Sequence, residues 1–498
     1  MPERRRRFGP LPRFLTGAVA VALCTTAAIA ALAIGAISTI AADLGKATIH
    51  SAAITAAKPG APQTILVVGD DHDGPLVNTP NGRQRLLHAD TFMLVHMDPN
   101  QGQTSIMSIP RDLDVTFHYH GALWTDQKFN ATYALGKASL VATVAKDIMP
   151  GLTINHIIDV NFSTFIGVVH AIGCVYVDVD RRYLNPGDPT YLPIDLQPGY
   201  QRLCANNALQ YVRYRHGDSD FVRVARQQDF IRQAKEQVNP LDLVSKYDQI
   251  FKELHKSIRT DVQGPKEIND LLTLIASSLS KPIRDIHFQY QNADTLLPNG
   301  GAAVVATPAE IHASLAAFLT APASGSPATS TSTTPATTRT VHHHHHHAAA
   351  SKSTPGLTAV SSGVSTQATQ LQPNVPFPVY VPGLQTLASN PNEFHAYTVA
   401  DQQGAVHDGY RIDWYDGNNG GYYGIEGMNW TNPPLFAHPD QKRTIAGRDY
   451  MIVDDGSHIH DIGWVTGGHL YWISNTLLED LSNDQMLAIA RSAAPLSG

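Results

Sequence analysis

Two periodicities alternate along the first two thirds of the chain. "TILVVGD" (64–70), "TFMLVHMD" (91–98) and "TSIMSIP" (104–110) are short apolar runs of the kind a buried strand needs, the last two joined by a "PNQGQ" turn. "KASLVATVAKDIM" (137–149) and "FSTFIGVVHAIG" (162–173) instead space their apolar residues for helices. The strand "VYVDV" (175–179), the segment "ALQYVRYRH" (208–216) and a long helix starting near Phe221 follow. Strands alternating with helices predict an α/β fold: a layered α/β/α domain with a mixed central sheet over residues 63–318.

Beyond residue 320 the pattern collapses into Ser, Thr, Ala and Pro ("APASGSPATSTSTTPATTRTV"). Such a stretch buries too little apolar surface to offset its ordering entropy, so 319–372 is expected to be a disordered linker. Within it, His342–His347 reads as a tag or low-complexity tract without a function. From residue 373 short strands with Gly and Asp-Gly turns precede a helix, "NDQMLAIARSA" (483–493), which predicts a small, mostly antiparallel α+β domain over 373–498. His458 and His460, two apart on an expected strand, have a spacing metals can use, though a surface pair is the more ordinary reading.

The uncharged stretch from Phe14 to Ala42 exceeds the roughly 20 helical residues that cross a bilayer, and Arg4, Arg5, Arg6, Arg7 and Arg13 precede it. This predicts a cytoplasmic tail (1–13), an uncleaved transmembrane anchor (14–42), a stalk (43–62) and everything beyond on the outer side of the cell membrane. A cleavable signal peptide would have a shorter apolar region. Cys24 falls in the anchor, which leaves Cys174 and Cys204 in the exported part. In an oxidising compartment they are expected to form a disulfide, two buried free thiols being the alternative. A net charge of −7 argues against a general nucleic-acid binder, and no G-x-G-x-x-G follows the first strand, which disfavours a dinucleotide site.

Four stretches of the first domain gather acids and arginines at the ends of apolar runs: "GDDHDG", "HADT", "SIPRD" and "YVRYRHGDSDFVRVARQQ". Read as a strand, "YVRYR" puts Arg213 and Arg215 on one face. Arg223 and Gln227 lie one turn apart on the following helix. With Arg226 these arginines suggest an anion site, for which pyrophosphate is well matched because guanidinium forks bind phosphate oxygens in pairs. A salt-bridged surface helix is the alternative.

The order "LVVGDD…DT-ML-H-D…SIPRD…K-N-(A/T)-YA…FIGVVHAIG…NALQYVRYRH…D-DF-R-RQQ", from about Gln63 to Val238, resembles the LytR-CpsA-Psr family of bacterial envelope enzymes. The resemblance implies a membrane-anchored phosphotransferase that uses Mg²⁺ to move a glycopolymer from a polyprenyl-pyrophosphate carrier to peptidoglycan, joined by a phosphodiester bond. By motif, Asp71 and Asp90 match the family's metal-holding acids. Arg111, Asp112, Arg213, Arg215, Asp220, Arg223, Arg226 and Gln227 match its catalytic positions. Two places depart: His88 and Asp73 stand where the family usually has arginines. The resemblance further implies an isoprenoid tunnel, with Leu140, Val144, Ile148, Phe162, Phe165, Ile166 and Val169 as candidate lining. A polyprenyl-pyrophosphate phosphatase using water as acceptor, and a non-catalytic scaffold or regulator binding lipid-linked polymer, are the alternative functions.

Overall fold

The computed structural model describes residues 49–320 and 354–496 except 59, 71–75, 80–81, 86–88, 102, 188–192, 215–216, 238–257, 280, 282 and 418–420. The expected tail and anchor, His342–His347, Asp71, Asp73, His88 and Arg215 therefore lie outside the described residues, as does most of the expected linker. Among the described residues no helix is long and apolar enough to cross a membrane.

In chain order the first unit contains β1 (Gln63–Asp70), β2 (Ala89–Met97), β3 (Thr104–Ser108), α1 (Asn130–Ile148), β4 (His156–Asn161), α2 (Phe162–Ile172), β5 (Val175–Val179), β6 (Gly199–Leu203), α3 (Ala205–Arg213), α4 (Asp220–Gln237), β7 (Arg259–Thr260), α5 (Gly264–Leu279), β8 (Ile283–Ile286) and α6 (Pro308–Leu319). Six of the strands form one sheet in the order β7-β4-β1-β2-β3-β8. β1 runs parallel to β4 and antiparallel to β2, and β3 runs parallel to β8, so the sheet is mixed as expected.

Strand alternation explains the layers. Leu66, Val68, Phe92, Leu94 and Met107 face α1 and α6, packing on Val141, Val144, Leu315 and Phe318. Their odd-numbered neighbours Ile65, Val67, Val95 and Met97 meet Ile268, Leu271 and Leu274 of α5, while Met93 and Ile106 pack near Ile231 of α4. Each fully buried Leu in this arrangement contributes roughly 1.5–3 kcal/mol. The expected stalk is not detached along its length, because Ile49 donates its N–H to Thr260, Ile54 bridges to Ile154, and Ala53 is buried.

One local expectation is corrected. "YVRYR" is not a strand: Cys204 caps α3, and Ala208, Tyr211 and Val212 are buried at helical spacing before the helix ends at Arg213. Arg213 therefore ends a helix instead of lying in a strand. The Cys174–Cys204 disulfide is formed and joins the ends of the antiparallel pair β5–β6, one residue beyond the partners Val175 and Leu203.

The second unit begins near residue 354, earlier than the linker boundary of 372 expected from composition. In α7 (Ser362–Ala368) and just beyond it, Val364, Ala368 and Leu371 keep one apolar stripe within the Ser/Thr-rich sequence and bury it in the core. The strands β9 (Ser389–Ala400), β10 (Val406–Asp416), β11 (Gly421–Met428), β12 (Gln441–Ile445), β13 (Arg448–Asp455), β14 (His458–Thr466) and β15 (His469–Ser474) form one antiparallel sheet in the order β9-β10-β11-β15-β14-β13-β12, followed by α8 (Asn483–Ser492). In "YRIDW", Tyr410, Ile412 and Trp414 turn to α7 and α8. Between them, Arg411 turns to the first unit.

That second face is an interface. Arg411 pairs with Asp178 at 2.7 Å and Glu426 at 2.5 Å and donates to the Asp180 carbonyl at 3.0 Å. Trp472 Nε1 donates to the other Asp178 oxygen at 3.0 Å, and Tyr176 and Tyr200 pack among Met428, Phe436, Leu470 and Trp472. His460 is skipped in the β13–β14 register, where Val453 pairs with Asp461 and Asp454 with Ile459. It therefore forms neither a surface pair with His458 nor a metal site among the described residues. Instead it is buried, bonded to Glu479 and 3.4 Å from Asp229 of α4.

Burial pushes the Asp461 carboxyl up from its ordinary value near 3.8 to about 7, with Asp178 and Asp229 adding to the effect and His460 and Arg232 opposing it. A carboxyl that holds its proton more tightly folded than unfolded makes the folded state the greater proton binder between about pH 4 and 7. Stability therefore falls as pH rises through that window. Asp461→Asn should stabilise the protein at pH 8 more than at pH 5, by about 1–4 kcal/mol. Calorimetry at the two pH values checks this, and an equal effect at both would contradict it.

Candidate functional site

One end of the central sheet gathers the charged stretches. There β1 finishes at Asp70, β2 starts with Ala89 and Asp90, β3 exits into Ile109-Pro110-Arg111-Asp112, α3 stops at Arg213, and α4 starts at Asp220. The loop after β3 is fixed by backbone bonds from Asn130 N–H to the Arg111 carbonyl (2.9 Å) and from Val304 N–H to the Asp112 carbonyl (2.9 Å).

Arg111 is the centre of this end. Its guanidinium pairs with Asp90 and lies 3.4 Å from Asp112 Oδ2 and 3.7 Å from Asp220 Oδ1. Lys128 Nζ reaches Asp112 Oδ1 at 3.1 Å. From α4, Arg223 pairs with Asp220 and donates to the Asp90 carbonyl at 2.9 Å. One turn on, Gln227 accepts from the Thr91 hydroxyl at 3.3 Å and donates to the Val212 carbonyl at 3.0 Å, which ties α4 to both β2 and α3. The half-buried Arg213 stacks its guanidinium 4.1 Å from the centroid of the Phe162 ring. Burial raises the pKa of Asp220 although Arg223 and Arg111 oppose it.

The sequence-predicted residues thus separate into two groups. Asp90, Arg111, Asp112, Arg213, Asp220, Arg223 and Gln227 share this end of the sheet. Arg226 does not share their surface: it is fully buried, paired with Asp218, and donates to Tyr183 Oη (3.0 Å) and the Tyr214 carbonyl (2.7 Å) beneath the turn that follows α3. The arginine cluster is also no bare cationic patch, since Arg111 and Arg223 are held by carboxylates. The proposed tunnel residues divide as well. Leu140 and Val144 pack in the main core with Leu66, while Phe165 and Val169 pack with Tyr211 and Phe230 in another cluster.

A second buried polar group adjoins the site. Tyr133 donates its hydroxyl to Asp70 and is 3.1 Å from Asp159 Oδ2. Arg259 Nη2 reaches Asp70 Oδ2 (3.1 Å), Asp159 Oδ2 (2.9 Å) and Tyr133 Oη (2.8 Å). Burial, and then the neighbouring Asp70, push Asp159 up to about 7. Sequence reasoning missed all four. Asp70 had a signal, because counting by twos from Leu66 and Val68 brings it to the buried face, and Tyr133 lies in the "N-(A/T)-YA" stretch. Arg259 had none.

For a cation, Asp90 is the open one among the described carboxylates of the site, with 45% of its side chain exposed. Among the described residues no group of three or more His, Cys, Asp or Glu side chains converges as a metal cage. An ion here would take few ligands from these residues, all hard oxygens. That donor chemistry fits Mg²⁺, which keeps waters and shares substrate phosphates.

Known proteins resemble the first unit. An uncharacterized protein of Staphylococcus aureus (strain NCTC 8325 / PS 47) is 26% identical over 199 residues, 40% of this chain and 48% of its own. The polyisoprenyl-teichoic acid–peptidoglycan teichoic acid transferase TagU of Enterococcus faecalis (strain ATCC 700802 / V583) is 27% identical over 203 residues, 40% of this chain and 62% of its own. The chain spans about half the length of the curated relatives it matches. Among solved structures, B. subtilis TagV aligns with a TM-score of 0.42 at 21% identity, covering 53% of this chain and 97% of that one. Matched from residue 35 to residue 312, more than half of its length, the chain belongs to the LytR_cpsA_psr family.

Proposed function

We propose that this protein is a membrane-anchored, Mg²⁺-dependent phosphotransferase. It takes a glycopolymer from a polyprenyl-pyrophosphate carrier and joins it to peptidoglycan through a phosphodiester bond on the outer side of the cell membrane. The observation that carries the reading is Arg111 held among Asp90, Asp112 and Asp220, with Arg223 alongside, at the end of the sheet. The transferase name of the Enterococcus relative supports the same chemistry.

In this reading a hydroxyl of the acceptor sugar attacks the phosphorus that carries the glycopolymer. A new P–O bond forms, the bond to the bridging oxygen breaks, and the polyprenyl phosphate leaves with that electron pair. Arg111 and Arg223 are pre-positioned by their carboxylates, so they meet the charge that shifts to the leaving phosphate without reorganising. Arg213, on its Phe162 platform, suits a more peripheral donor oxygen. Asp220, its pKa raised by burial, is the proton acceptor for the attacking hydroxyl. Asp90, with Asp71, would hold the Mg²⁺ ion, which supplies neutralisation of the pyrophosphate charge when bound.

The test incubates the full chain in detergent with a lipid-pyrophosphate oligosaccharide, a peptidoglycan fragment and Mg²⁺, and identifies the products by mass spectrometry. Joined saccharide and muropeptide are expected. Release of free saccharide phosphate without joining would favour the phosphatase reading, and no turnover would favour the scaffold.

Arg111→Ala should lower turnover by an amount equivalent to about 2.7–4 kcal/mol. Arg213→Ala should raise KM for the donor and leave the thermal midpoint unchanged. Arg226→Leu should do the reverse, costing about 3–5 kcal/mol of stability because Asp218 stays buried without its full set of partners. Parallel kinetics and calorimetry on the three variants check this division.

A further inference from the structure

The helix α1 is interrupted where it passes the end of β1. Lys137 has φ 56° and ψ −161°, a conformation that glycine adopts almost alone and that costs other residues free energy. A glycine stands one residue earlier: at Gly136 a Cβ would lie 2.4 Å from the Leu140 Cβ, so that position is fixed by packing. Packing does not explain why a long cationic side chain occupies the strained position itself. Strain of this kind persists only where the surroundings over-determine it, and it concentrates at ligand sites.

The surroundings of Lys137 are those of the candidate site. Its ammonium lies 5.3 Å from the centroid of the Tyr133 ring, the same Tyr133 that bonds to Asp70, and Asp70 is the residue before Asp71. Asp70 and Asp159 attract the ammonium, while burial and the nearby Arg259 guanidinium lower its pKa. Among the described residues the ammonium makes no ion pair with a carboxylate. Arg259 keeps about a third of its side chain exposed. Arg111, Arg213 and Arg223 reach this end of the sheet from β3, α3 and α4. Lys137 and Arg259 reach it from α1 and β7, on the other side of β1.

We propose that Lys137 is a second-flank contact for the pyrophosphate of the donor, its ammonium meeting a phosphate oxygen across the end of β1 from Arg111, and that the strained backbone at 137 is retained to present that charge. The proposal rests on the pyrophosphate reading of the site. It assigns a binding role to a residue outside the motifs that carry the family resemblance, in a chain whose positions 73 and 88 lack the usual arginines.

Three substitutions separate charge from strain. Lys137→Gln keeps the strained conformation and removes the charge, Lys137→Gly removes both, and Lys137→Arg keeps both. Binding of inorganic pyrophosphate with Mg²⁺ to the full chain is measured by calorimetry, together with the thermal midpoint and the donor KM. The expected result is a loss of affinity of about tenfold for Gln and Gly, a midpoint raised by a few degrees for Gly alone, and Arg close to the unmodified protein. Unaltered pyrophosphate affinity and donor KM in Lys137→Gln would overturn the proposal, whatever the glycine variant does to the midpoint. Failure of the unmodified protein to bind pyrophosphate would instead sink the pyrophosphate reading itself, and with it the basis of the proposal.

Discussion

A helix that buries polar side chains along most of its length needs partners for them, and α4 imposes that demand on everything around it. Its first turns commit Asp220, Arg223 and Gln227 to Arg111, β2 and the end of α3. In its middle, Arg226 is spent on Asp218 and the Tyr183–Tyr214 pocket. Its last turns use Asp229 and Arg232 as a buried pair beside His460, while Gln237 bonds to both the N–H and the carbonyl of Tyr176 on β5, at 2.7 and 2.6 Å. One helix thus serves the candidate site with its first turns and, through Asp229 beside His460, the interface with the second unit further along.

The carboxylates around Arg111 and Arg223 have a similar logic. Several guanidinium groups brought together without acids would repel one another and swing into solvent. Clamped by Asp90, Asp112 and Asp220, they hold a fixed geometry before any anion arrives. Under the proposed function the clamp would also be selective, because an incoming anion would have to compete with carboxylates already in place. A small, weakly charged anion gains too little from two guanidinium forks to do so, whereas a ligand with several charged oxygens can.

Much of this was legible in the sequence where the period was long enough to read. Apolar runs such as "TILVVGD" and "TFMLVHMD" identify the mixed sheet, and the two cysteines outside the expected anchor identify the disulfide. "YVRYR" misled because alternating Tyr, Val and Arg satisfies a strand as well as the last turns of a helix, and the deciding signal, Ala208 one turn upstream, is weak. Arg226 looked like its neighbours Arg223 and Arg213 because charge is visible in a sequence and depth is not. Three small or medium apolar residues, Val364, Ala368 and Leu371, sufficed to order a stretch whose composition read as linker. The Asp70–Tyr133–Asp159–Arg259 group joins residues up to 189 positions apart, and no local pattern reports such a meeting. His460 was hidden by a bulge, which reverses the facing that alternation predicts.

The bond between Asp178 and Trp472 spans 294 residues. Asp178 belongs to the strand against which the end of α4 is seated, and its carboxylate takes its partners Arg411 and Trp472 from the second unit. A change in the second sheet that removed Arg411 or Trp472 would leave the Asp178 carboxylate buried and short of partners on the strand that seats the helix carrying Asp220, Arg223 and Gln227.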